Sequence, residues 1–75
     1  MRKFEFDLIN PKTFARFLVD YEFNFEIDFT KRRVIVHLDD SIDAINQFYT
    51  FMIDHYDPQI TLSDILDSEI FPVKL

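Results

Sequence analysis

Along this chain the spacing of the large apolar side chains alternates between a period of two and one near 3.6, and each change marks a new element. From Lys3 to Leu8, the residues Phe4, Phe6 and Leu8 alternate with Lys3, Glu5 and Asp7, the pattern of a strand with one buried face. Asn10-Pro11 then reads as an N-cap followed by proline at the first helical position, where its missing N–H costs nothing. Phe14, Phe17, Leu18 and Tyr21 follow at i, i+3, i+4 and i+7, which predicts a helix from about Pro11 to Glu22.

The period returns to two at Phe23, with Phe23, Phe25, Ile27 and Phe29 on one face and Asn24, Glu26, Asp28 and Thr30 on the other. A second run puts Val34, Val36 and Leu38 on one face. A hairpin with a four-residue loop, Thr30 to Arg33, pairs Phe29 with Val34, Ile27 with Val36 and Phe25 with Leu38, so every apolar partner lands on the same side. On the other side, that register sets Glu26 opposite His37 and Asp28 opposite Ile35.

Asp40-Ser41-Ile42-Asp43 resembles a capping box and predicts a helix to about His55 or Tyr56. At about 100° per residue, its apolar positions from Ile42 to Tyr56 fill an arc of roughly 200°, leaving Asp43, Asn46, Gln47, Thr50 and Asp54 as a polar strip. A helix on one face of a small sheet needs only about 100°. The surplus must therefore meet either the last segment of the chain or a second chain. Asp57-Pro58 ends this helix, and Thr61-Leu62-Ser63-Asp64 caps a shorter one through about Glu69, while Phe71 to Leu75 docks as an irregular strand or frays.

These elements predict one α+β domain over residues 1–75, in the order β-α-β-β-α-α, with helices packed on one face of a three-stranded, mostly antiparallel sheet. Its 75 residues leave room for a single core. Composition then narrows the chemistry. The absence of cysteine removes thiolate metal sites and cysteine nucleophiles, and the absence of glycine removes the phosphate-cradling loops and the glycine-flanked serine elbow. Acids interrupt the apolar run that follows Arg2-Lys3, and the longest uncharged run, Ala44 to Ile53, is about half a membrane span. A cytoplasmic protein that engages no membrane is expected, in the host cytoplasm if the chain is phage-encoded.

Charge is distributed unevenly. Residues 1–33 carry six acids and seven bases, a net of +1, whereas residues 34–75 carry eight acids and the single base Lys74, a net of −7. The eight acids are Asp39, Asp40, Asp43, Asp54, Asp57, Asp64, Asp67 and Glu69. Their summed field repels nucleic acid and attracts basic protein surfaces, and equally it keeps a phenylalanine-rich domain in solution. Glu26 and Asp28 are candidate extensions of that surface. Lys31-Arg32-Arg33 forms a basic hairpin tip, which more simply solubilises a turn than contacts phosphate.

Neither histidine points to catalysis. His37 is expected to pair with Glu26 on the surface, and His55 with Asp54 and Asp57 does not converge on a metal from one helix end. Asp39, Asp40 and Asp43 suit a helix N-terminus without invoking an ion. A domain without enzymatic activity, metal or cofactor is expected.

In its size, its Phe/Ile/Asp/Asn-rich usage, its short strands followed by helices, and the stretch Leu38-Asp39-Asp40-Ser41-Ile42-Asp43 entering an acidic helix, the chain resembles the small acidic inhibitors of phages and mobile elements, anti-CRISPR proteins against type II effector nucleases among them. The resemblance implies a protein-binding inhibitor acting where such a nuclease reads DNA, with the eight acids as the contact surface and no direct nucleic-acid binding. The basic tip departs from a uniformly negative DNA mimic. The alternative is a structural or regulatory homodimer built on surplus apolar surface or an open strand edge.

Overall fold

The computed structural model describes residues 1–71. It contains β1 (Arg2–Asp7), α1 (Pro11–Asp20), β2 (Asn24–Asp28), β3 (Arg33–Leu38), α2 (Ile42–His55), α3 (Leu62–Asp67) and β4 (Glu69–Ile70). The six expected elements occur in the expected order, and β4 is an addition that makes the sheet four-stranded rather than three-stranded. All pairings are antiparallel, in the spatial order β2-β3-β1-β4. Of the tail expected to dock or fray, only Phe71 lies within the described residues.

One face of the sheet is buried. Phe4 and Phe6 of β1 and Val34, Val36 and Leu38 of β3 join Phe14 and Leu18 of α1, Ile45, Phe48, Phe51 and Met52 of α2, and Ile65 of α3 in a single core. Phe48 sits at its centre, with ring centroids 5.7 Å from Phe6, 5.5 Å from Phe23 and 6.1 Å from Phe51. The other face carries Lys3, Glu5 and Asp7 beside Arg33, Ile35 and His37, and then Asn24, Glu26 and Asp28.

The surplus arc on α2 is taken up within the chain. Ile60 and Ile65 enter the core, and Tyr49 and Ile53 pack half-buried against it. Ile42, 79% exposed in the first turn, remains outside.

Two boundaries differ from expectation for identifiable reasons. Helix α1 stops at Asp20 because Glu22 takes φ 61°. The Phe23 amide then donates to Leu18 O at 3.0 Å and the Glu22 amide to Val19 O at 3.0 Å, a Schellman termination with glutamate in the place usually held by glycine. With its N–H committed to the helix, Phe23 is left outside the strand.

The hairpin register is displaced by two residues. Ile27 faces Val34 and Phe25 faces Val36, because Asp28 Oδ1 accepts from the amides of Thr30 and Lys31, both at 3.0 Å, and starts the turn earlier. A shift of two preserves the faces, so the core is unchanged, but Phe29 leaves the strand and is 52% exposed. Glu26 now faces Ile35 rather than His37, and Asp28 faces Arg33 rather than Ile35.

Candidate partner-binding site

The eight acids of the C-terminal half do not form one cluster. Asp39 and Asp40 lie in the connection between β3 and α2, and Asp43 lies in the first turn of α2, whereas Asp54 lies in its last turn and Asp57 just beyond. Asp43 and Asp54 fall on the same side of α2, yet at ~1.5 Å rise per residue they are about 16 Å apart. At a Debye length of ~8 Å the two ends of the helix act as separate charges. A partner that touches both must run along α2.

The strip between them is not flat. Asn46, Gln47, Thr50 and Asp54 form one wall of a cleft of about 370 Å³, with Tyr21 and Phe23 also lining it. Carboxamides and a hydroxyl thus stand between the charged ends, next to aromatic surface.

The acids also differ in what holds them. Glu69 is spent internally: its carboxylate receives Arg2 Nε at 2.8 Å and Nη2 at 2.6 Å, and its side chain is only 10% exposed. The Arg2 hydrogen bonds hold the Glu69 carboxyl below the usual carboxylate range, against an opposing effect of burial. Sequence spacing gave no sign of this pair, because β4 was not expected and the partners are 67 positions apart. Asp64 completes a capping box with Thr61, accepting from the Thr61 amide at 3.0 Å. Asp57 accepts from the Gln59 amide at 2.9 Å, and Asp40 lies 3.9 Å from the Met1 amino group.

Asp39, Asp43, Asp54 and Asp67 are exposed and have no side-chain hydrogen bond or ion pair among the described residues. Asp43 is favoured by the α2 N-terminus. Asp54 and Asp67 are not, since each carboxylate sits at the negative end of its helix.

The strand acids do not extend this surface. Glu26 and Asp28 lie on the sheet face turned away from the core; Glu26 Oε2 is 2.9 Å from His37 Nε2 across the diagonal, and Asp28 holds the hairpin turn. On the same face Arg33 Nε donates to Asp7 Oδ1 at 3.1 Å. Among the described residues, Arg2 is the one lysine or arginine paired with an acid of the second half, through Glu69, and the other seven acids there receive no lysine or arginine, which leaves most of that half's negative field unbalanced.

His55 has a different setting from the one its neighbours in sequence suggest. Its ring stacks on Phe17 with centroids 4.1 Å apart, and its Nε2 lies 3.0 Å from Tyr21 Oη. Beside it, a cleft of about 360 Å³ opens between the β1–α1 junction, α1 and the end of α2. Sequence reasoning missed this cleft because it joins Asp7 to Asp57 across 50 positions with no shared motif. Comparison with protein-family models, with curated proteins and with solved structures gave no match for the chain. Among the described residues no helix is long and apolar enough to cross a membrane.

Proposed function

We propose that this domain is a non-enzymatic, protein-binding inhibitor whose acidic C-terminal half occupies a basic nucleic-acid-binding groove on a partner. Within the class that the sequence resembles, that partner is a type II CRISPR effector nuclease. The observation that carries the proposal is the position of Asp54 and Asp67. Both are exposed carboxylates, unpaired among the described residues, at helix C-terminal ends, where the helix dipole opposes them. Folding gains nothing from them there, so a task outside the fold accounts for them better.

The polar strip of α2 supports an elongated contact. A groove that normally holds a nucleic-acid backbone offers rows of lysine and arginine, complementary to carboxylates at both ends of the helix with amides between. Electrostatic complementarity of this kind acts mainly on association rate and specificity.

The homodimer is the less supported reading. In it β2, an edge strand, would pair with its own copy, and the symmetric antiparallel register centred on this five-residue strand sets Glu26 against Glu26. The other surface once available for dimerisation, the surplus arc of α2, packs largely against the chain's own core.

Low-salt capture from host lysate with mass spectrometry identifies the partner, and purified components then decide the mechanism. Replacing Asp39, Asp40 and Asp43 together by Asn is expected to weaken binding severalfold at low salt and much less at high salt. Equal loss at both salts, or no loss, rejects electrostatic docking.

A further inference from the structure

The cleft beside His55 has a chemistry of its own. Phe14 and Phe17 of α1 and Tyr56 at the end of α2 give it aromatic walls, and Asp7 and Asp57 border it. Among the described residues, no lysine or arginine lines it. Two independent features set a negative potential there. Helix α2 is 14 residues long and ends at the cleft, so its negative pole lies at that wall. That pole is carried by the last-turn carbonyls of Ile53, Asp54 and His55, which receive no backbone donor among the described residues; of these three residues, His55 lines the cleft. Asp57 adds a carboxylate whose Oδ1 is held by the Gln59 amide.

The neighbouring groups have settled partners. Asp7 is partly balanced by Arg33 on the sheet side, so Asp57 supplies most of the uncompensated charge. His55 is stacked on Phe17 and bonded to Tyr21. Tyr56 donates its hydroxyl to Asp7 O at 2.9 Å. That hydroxyl is pushed above its usual range first by burial and then by Asp7 and Asp57, in keeping with a negative wall. Ile9, 96% exposed, forms part of the rim and offers apolar surface to whatever enters.

We propose that this cleft receives one arginine side chain of the protein partner, with its guanidinium between Asp57 and the end of α2 and its stem along Phe17 and Tyr56. The assignment rests on the basic-partner function above and names the anchor for one end of that contact. Arginine fits better than lysine because the several N–H groups of its rigid planar head reach carboxylate and carbonyl oxygens together, while its apolar stem covers aromatic surface. A desolvated arginine in an aromatic pocket is also the kind of contact that dominates protein interfaces.

The test needs no partner. The ¹⁵N-labelled protein is titrated with N-acetyl-arginine amide and, separately, with N-acetyl-citrulline amide, which has nearly the same shape without the charge. Saturable shifts confined to Thr13, Phe17, Tyr56 and Asp57 are expected, with binding weaker by roughly fivefold or more for citrulline and for Asp57→Asn. Asn keeps an acceptor for the Gln59 amide, and an unchanged spectrum elsewhere verifies the fold of the variant. Equal binding of citrulline, shifts of equal size at Asp39, Asp40 and Asp43, or no saturable shift would each overturn the assignment.

The two proposals fail separately. The Asp39, Asp40 and Asp43 variant should bind the arginine probe as the parent does, whatever happens to its partner binding. Probe binding without any basic partner rejects the inhibitory function alone. Salt-dependent partner binding without probe binding rejects the cleft alone.

Discussion

Asp54 and Asp67 are the residues at which the interests of folding and binding separate. Replacing either by Asn should raise stability by about 0.3–1 kcal/mol, the usual worth of removing a carboxylate from a helix C-terminal turn, and should lower partner affinity. Urea midpoints together with binding constants check both directions; a variant that loses stability instead would remove the main support for the proposed function. Glu69 behaves in the opposite way, because Arg2 lowers its folded-state pKa. Its contribution is complete above the ordinary glutamate value of 4.5 and is lost as pH falls through the lower folded value. The gap in urea midpoint between the parent and Glu69→Gln should therefore be full at neutral pH and shrink in acid. As candidate contacts, the aspartates were legible in the sequence because a run of acids without bases is a one-dimensional property. The withdrawal of Glu69 was not, because it depends on a strand pair between the two ends of the described chain.

At the level of elements, a chain without glycine must still make left-handed turns, and here Glu22 and Arg32 make them, at φ 61° and 55°. Each carries a Cβ where glycine would carry none, at a cost of roughly 1 kcal/mol. Glu22→Gly and Arg32→Gly should each stabilise the domain by about that amount, read from thermal or urea unfolding. Helix ends and hairpin register were the parts of the fold least visible in the sequence, since both turn on these two residues and on the Asp28 carboxylate. The periods themselves were visible throughout. They placed Phe4, Phe6, Val34, Val36, Leu38, Phe48 and Phe51 on inward faces, and all are buried. The short final helix was also legible from Thr61 and Asp64, and it matters to the core. Ile65 is fully buried, so Ile65→Ala should cost about 2–5 kcal/mol, whereas Leu66→Ala, at 43% exposed, should fall within about 1 kcal/mol.

Across the whole molecule, the charges divide by partner availability rather than by count. The sheet face brings Lys3, Arg33 and His37 among Glu5, Asp7, Glu26 and Asp28, while the helical half has no lysine or arginine before Lys74. The same acids protect the β2 edge from self-pairing. Light scattering should accordingly give a mass near 9.1 kDa, and Glu26→Val should move it toward a dimer; a dimeric parent would favour the alternative function. By itself the sequence determined the element types, the inward faces and the imbalance between the two halves, because all three are local periodicities or sums along the chain. Tertiary structure alone decided the fourth strand, the loss of Glu69 to Arg2, and the cleft between Asp7 and Asp57. Each of these depends on distances between residues far apart in the chain, which are set only when the helices close over the sheet.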